Sequence, residues 1–184
     1  SLGIDEHSLV NTPVELESKV THLLNEYPEI LVEEYIAGRE FTVLVAADKD
    51  SKTCTVFKPI EYIFPQGRAF KTYALKTSEL HPDCNVPVND PKIEKLLRSA
   101  TEQIFIAFCG VGYARLDFRM DKNNQLYFLE INFTCSAFYE NGYEGSADPI
   151  LNNDPEGKTG FLKRIIGEGI ARHKAKQKKY CLKG

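Results

Sequence analysis

Cysteines are few and badly spaced for either role that would fix a small fold covalently. The five, Cys54, Cys84, Cys109, Cys135 and Cys181, are odd in number, scattered and without metal-ligand spacing. That pattern excludes a disulfide framework and a zinc module, and it fits a reducing, cytoplasmic compartment. Long apolar runs are missing too: nothing approaches the roughly 20 residues that cross a bilayer, and no signal-peptide pattern is found, which excludes a spanning helix within the chain and predicts no membrane partner. Excess positive charge is absent, since the net charge is −3, and this argues against nucleic acid held by phosphate neutralisation. The basic run from Arg172 to Lys179 reads as a solvated helix end, where cations oppose the helix dipole favourably. There is no internal repeat and no initiator methionine. The opening Ser1-Leu2-Gly3 reads as the middle of a longer protein, and a targeting signal upstream of it would lie outside the chain.

What remains is an ordinary globular composition. With 184 residues, 42% hydrophobic and 27% charged, the chain can bury a core as one domain or two small lobes. Thr12-Pro13-Val14-Glu15 is a capping box with proline at the first helical position, and Val20, Leu23 and Leu24 supply an apolar stripe, predicting a helix to about Tyr27. "EILVEEYI", "EFTVLVAAD" and "TCTVFKPI" are rich in β-branched residues and read as strands. From Glu61 to Asn89 periodicity is lost, predicting a long loop with room for one short strand. Asp90-Pro91 opens a second helix with Ile93, Leu96, Leu97, Ala100, Ile104 and Phe108 at helical spacing, ending at Gly110. A hairpin follows, then a polar loop to about Gly157 and a last helix bearing Phe161, Leu162, Ile165, Ile166 and Ile170, in which Gly167 and Gly169 are unfavourable.

The hairpin "GYARLDFRMDKNNQLYFLEINFT" carries charge where a strand should be apolar. Arg115, Asp117 and Arg119 share one strand face, and Glu130 shares a face with Asn132. A turn centred on Asn123-Asn124 sets Asp117 opposite Glu130 and Arg115 opposite Asn132. Two carboxylates about 4.5–5.5 Å apart at Cβ repel unless something positive lies between them. Two carboxylates and a carboxamide are the hard oxygen set that suits Mg²⁺ or Mn²⁺, with coordination places left for water and phosphate. The alternative is a surface hairpin whose acids are neutralised by Arg115 and Arg119 and by solvent.

In their order along the chain, these segments resemble the ATP-grasp superfamily, most closely its D-alanine–D-alanine ligase-like branch. "RLDF" and "LYFLEIN" are similar to that family's metal-binding hairpin, which implies Asp117, Glu130 and Asn132 as Mg²⁺ ligands and Arg115 as a phosphate-contacting arginine. "LVEEYIAGREFTV" resembles the hinge: Glu33, Glu34, Tyr35 and Ile36 would edge the adenine and Glu40 would bind the ribose hydroxyls, with Leu129 against the base. "FKTYALK" matches an F-x-x-Y-x-x-K pattern, implying Lys76 as a phosphate ligand, and "SLGI" resembles the end of a flexible phosphate-covering loop, making Ser1 and Gly3 candidates. Ser146 is the candidate for holding a substrate carboxylate.

The resemblance implies an α+β ATP-grasp fold, mostly antiparallel sheet with flanking helices. Residues 1–36 would be the end of the first lobe with the hinge strand, and residues 37–184 the second lobe with the C-terminal helix. It further implies an ATP-dependent carboxylate–amine ligase working through an acyl phosphate, with ATP and Mg²⁺ or Mn²⁺ as cofactors and small carboxylates and amines as partners. The chain departs from the family after Asn132, where Phe133-Thr134-Cys135-Ser136 stands in place of a Pro-Gly dipeptide, and at Thr77, where many members carry tyrosine. A diverged acceptor site follows from the first departure, and a non-catalytic nucleotide-binding module with a regulatory or assembly role is the rival reading.

Overall fold

The computed structural model describes residues 4–49, 52–65, 70, 84–140 and 144–181. At its centre lies β1 (Arg39–Ala47), buried at every residue but the first. Its near-continuous apolar run is what a strand covered on both faces requires. β1 pairs with β5 (Tyr113–Met120) along one side and with β2 (Cys54–Val56) and β3 (Ile60–Tyr62) along the other. β3 continues to β4 (Asn85–Pro87) and β5 to β6 (Leu126–Asn132), giving the order β4-β3-β1-β5-β6 with every pairing antiparallel.

The single strand expected over Thr53–Ile60 is divided into β2 and β3. Val56 stands opposite Val45 but Ile60 opposite Thr42, so one extra residue is inserted between the two ladders, at a stretch that includes Pro59 and its missing N–H. The strand expected over residues 29–36 does not form. Leu31 is 80% exposed and Val32 58%, and no described strand pairs with this segment. β-propensity records how a side chain fits a pleated, half-buried surface, and without a neighbouring ladder it has nothing to act on.

Helix α1 (Pro13–Leu24) is capped as expected: Thr12 Oγ1 accepts from the Glu15 N–H at 3.2 Å and Glu15 Oε2 accepts from the Thr12 N–H at 3.1 Å. None of its residues is buried. Helix α2 (Pro91–Ala107) is capped by Asp90, whose carboxylate accepts from the Lys92 and Ile93 N–H groups. Its buried stripe is Ile93, Leu97, Thr101 and Phe105, while Leu96 and Phe108 of the expected stripe are 42% and 57% exposed. The helix is rotated by part of a turn relative to the sequence expectation because Phe105, its largest core side chain, faces the sheet. The polar loop before Gly157 contains a short helix, α3 (Asp148–Asn152), too brief to leave a periodic signal. The last helix, α4 (Gly157–Cys181), runs unbroken through Gly167 and Gly169. Fully buried Phe161 and nearly buried Glu168, which accepts from Arg172 Nε at 2.8 Å, fasten it despite the glycines.

The two faces of the sheet carry separate cores. On one, Phe41, Val43 and Val45 join Ala114, Leu116, Phe118 and Met120 beneath α2. On the other, Leu44, Ala46, Phe57 and Ile60 pack under Ile150, Leu151 and Phe161 of α3 and α4. That second face is apolar only towards one end. Towards the other end it turns polar, and there the candidate site lies.

Candidate functional site

Neighbouring ladders place the polar side chains in rows. Glu40 of β1 stands opposite Arg119 of β5, and Thr42 opposite Asp117; Asp117 in turn stands opposite Glu130 of β6, and Arg115 opposite Asn132. The pairings expected for the hairpin are therefore those observed. They arise by a different route from the two-residue turn assumed, because Asp121 N–H donates to Gln125 C=O at 3.1 Å, closing a three-residue loop with Asn124 at φ 61°. A three-residue loop alone would move Asp117 out of line with Glu130. The register is restored between Asp117 and Phe118, where Glu130 and then Phe128 are their partners and Leu129 is the extra residue of a β-bulge.

Arg115 lies between the two carboxylates. Its guanidinium donates to both oxygens of Asp117, at 3.2 and 2.8 Å, and to Glu130 Oε1 at 3.2 Å. Thr42 Oγ1 donates to Asp117 Oδ1 at 3.0 Å, so the Asp117 carboxylate is directed by two strands. Burial disfavours the Arg115 cation, but the Asp117 charge and hydrogen bonds outweigh it and hold the pKa above the ordinary arginine value. The positive charge that the sequence demands between the acids is here an arginine, as in the alternative reading of the hairpin.

The donor set still fits a hard divalent ion. Asp117, Glu130 and Asn132 present only oxygen acceptors from adjacent ladder positions, and the Glu130 side chain is half exposed and free to turn. Asn132 Oδ1 accepts from the Thr134 N–H at 2.9 Å and from the Thr134 hydroxyl at 3.4 Å, so a metal there would take the place of the longer of the two. Among the described residues there is no group of three or more His, Cys, Asp or Glu that could hold a metal, so a metal here would depend on the carboxamide together with the two acids.

Sequence reading passed over three contributors, or weighed them only as charge. Arg119, seen there only as a neutralising cation, is almost fully buried and donates to Glu40 Oε2 at 3.2 Å, to Gly38 C=O at 3.1 Å and to Tyr35 Oη at 3.3 Å. Thr42 could have been found from its shared parity with Glu40. Asp148, fully buried, accepts from the Phe138 and Gly145 N–H groups at 3.0 and 2.9 Å and pairs with Lys158 Nζ at 2.6 Å, tying the chain after Asn132 to α4. No short motif marks it.

The remaining candidates lie on other segments of the chain. Tyr35 and Ile36 are half-buried, while Glu33 and Glu34 are exposed on the unpaired segment before β1. Leu129, at the bulge, is 44% exposed and belongs to neither core. Ser146 is half-buried in the turn leading to α3. Ser1, Gly3 and Lys76 lie outside the described residues, as do Lys71 and Tyr73; of the "FKTYALK" segment only Phe70 is described, and its ring meets that of Tyr35 edge-on at 6.3 Å.

A family model described as D-ala D-ala ligase C-terminus matches residues 1–139. The chain belongs to this family. A D-alanine--D-alanine ligase of Legionella pneumophila (strain Corby) is 32% identical over 191 residues, covering 96% of this chain and 48% of that protein. Its counterpart in Pseudoalteromonas translucida is 29% identical over 133 residues, covering 72% of this chain and 40% of the relative. Among solved structures, the D-alanine-D-alanine ligase from Coxiella burnetii superposes with a TM-score of 0.69 at 20% identity, covering 94% of this chain and 43% of that one. The fold is accordingly the ATP-grasp fold of the D-alanine–D-alanine ligases, α+β with an antiparallel sheet and flanking helices. The chain spans less than half the length of the curated relatives it matches. Among the described residues no helix is long and apolar enough to cross a membrane.

Proposed function

We propose that this chain is the metal- and phosphate-binding part of an ATP-dependent carboxylate–amine ligase. Residues 1–36 would close the first ATP-grasp lobe and carry the hinge, and residues 37–184 would form the second lobe. The observation that carries the reading is the cluster Arg115, Asp117, Glu130 and Asn132 on one sheet face, two rungs from Glu40. A solvated hairpin does not need Asp117 to be nearly buried and directed by Thr42 from a second strand.

In the proposed reaction a substrate carboxylate oxygen attacks the γ-phosphorus of ATP and ADP leaves. An amine then attacks the acyl phosphate, phosphate leaves, and the amine nitrogen loses a proton to give the amide. Mg²⁺ or Mn²⁺, held by Asp117, Glu130 and Asn132, would supply charge neutralisation for the phosphates. Arg115 would release the acids to the metal and turn to the transferred phosphoryl group, with Lys76 beside it, as positioned cations. Glu33, Glu34, Tyr35, Ile36 and Leu129 would enclose the adenine and Glu40 would accept from the ribose hydroxyls; Ser1 and Gly3 would cover the phosphates and Ser146 would hold a substrate carboxylate.

The deciding experiment is ADP release by the full-length protein. Release that requires both a carboxylate and an amine is expected. Nucleotide binding without turnover on any such pair would instead establish the non-catalytic module. Glu130→Gln is expected to weaken Mg²⁺-dependent nucleotide binding, and an unchanged Mg²⁺–nucleotide affinity in that variant would remove the metal assignment.

A further inference from the structure

We infer that Arg119 is the positioning residue that aims Glu40 at the sugar of the bound nucleotide and fastens the adenine-edging segment to the sheet. The inference rests on the reading of Glu40 given above and assigns a role to a residue that the reading leaves unused.

Three groups spaced along one short stretch, residues 35–40, meet at this one guanidinium. It reaches Glu40 across the β1–β5 ladder, the Gly38 carbonyl at the entry to β1, and the Tyr35 hydroxyl on the unpaired segment, at 3.2, 3.1 and 3.3 Å. Its carbon lies 4.9 Å from the centre of the Tyr35 ring and 5.7 Å from that of Phe64, so the cation also lies against two aromatic rings. Arginine's planar fork gives each of these bonds a fixed direction, which an ammonium group cannot do. The Arg119 and Glu40 side chains are 5% and 9% exposed, and an ion pair so buried is weak evidence of a purely stabilising role, because apolar side chains of similar volume usually serve stability as well. Every alternate position of β5 on the opposite face is apolar. The polar choice is confined to the face that holds Asp117 and Arg115.

The geometry also accounts for Gly38. Its φ is 143°, and a Cβ there would stand 2.1 Å from the Met120 carbonyl oxygen, so only glycine lets the chain pass close enough for its own carbonyl to reach Arg119. Tyr35 is thereby held over the guanidinium although residues 29–37 have no ladder of their own.

The test uses full-length protein and two nucleotides, Mg²⁺–ATP and its 2′,3′-dideoxy analogue, with affinities compared in wild type, Arg119→Met and Arg119→Lys. Wild type is expected to prefer ATP by about tenfold or more, the scale of hydrogen bonds to a charged acceptor. Both variants are expected to reduce that preference to about twofold or less, with ATP affected more than the analogue. Full preference retained in Arg119→Lys would mean that charge alone suffices, and would overturn the positioning role. If Arg119→Met fails to fold, Arg119→Lys decides by itself. Should wild type not distinguish the two nucleotides, the reading of Glu40 fails first and this inference with it, an outcome separate from a wild-type preference that the Arg119 variants keep.

Discussion

Replacing Arg115 with methionine removes the one cation found between two facing carboxylates. The replacement keeps much of the apolar stem and deletes the three hydrogen bonds to Asp117 and Glu130. The two acids do not contribute equally. Asp117 is 9% exposed and loses both hydrogen bonds from the guanidinium, and breaking a buried ion pair from one side is worth about 3–5 kcal/mol. The Glu130 side chain is 50% exposed and can turn to water, so its share is about 0–1 kcal/mol. A loss of about 3–6 kcal/mol is expected in metal-free buffer, most of it from Asp117.

Mg²⁺ should then act in opposite proportion to stability. With Arg115 gone, the oxygen set is more negative and no longer competed for, so the variant should gain more stability per decade of added Mg²⁺ than wild type does, following the logarithm of metal concentration over Kd. Urea unfolding across a Mg²⁺ series, with Ca²⁺ and monovalent salt at matched ionic strength as controls, reads both effects. A variant within about 0.5 kcal/mol of wild type without metal would refute the buried-charge argument. A Mg²⁺ response equal to that of wild type would refute the shared-ligand argument.

Three further outcomes are expected. Gly38→Ala should destabilise by about 3 kcal/mol or more, because the added methyl meets backbone at the Met120 carbonyl and the residue sits at positive φ; thermal unfolding checks it. Asp148→Asn should cost about 1–3 kcal/mol, since it sets a buried amide N–H₂ against backbone donors while Lys158, 30% exposed, can turn to water, and faster amide hydrogen exchange at Phe138 and Gly145 should accompany the loss. Burial raises the thiols of Cys54 and Cys135 to about 11, so at pH 8 about one in a thousand is thiolate, and the rate of alkylation at both should climb about tenfold per pH unit towards that value while exposed Cys109 labels first; mass spectrometry of timed alkylation reads the order.

What the sequence made legible follows from range. Local devices were read correctly because they depend on a few consecutive residues: the Thr12–Glu15 capping box, the Asp90-Pro91 helix start and the parity of Arg115, Asp117 and Arg119. Features set by partners distant in the chain were not. Whether residues 29–36 form a strand depends on a ladder neighbour, and the rotation of α2 depends on which side chain fills the space above Phe41 and Phe118. Arg119 could be placed on the site face by parity, but its three hydrogen bonds to a segment about 80 residues earlier could not.

The hairpin shows how a right conclusion can rest on a turn that is not there. A two-residue turn at Asn123-Asn124 and a three-residue loop followed by a one-residue bulge deliver the same partners for Arg115 and Asp117, because each irregularity shifts the register by one and the shifts cancel. The regular route would continue strict alternation through Leu129. The observed route takes Leu129 out of the ladder and leaves it 44% exposed beside the acids, outside both cores. Bulges re-aim side chains next to sites, and this one frees an apolar residue beside Glu130 without disturbing the facing of the two carboxylates. Deleting Leu129 should therefore remove the bulge and leave the pairing intact: with the three-residue loop kept, Phe128 still faces Phe118, and Glu130, now next in the chain, still faces Asp117. Mg²⁺-dependent stabilisation retained both in that deletion and in Leu129→Ala is the expected pair of results; a folded deletion that loses the metal response would show that the carboxylates need the bulge itself and not only their facing.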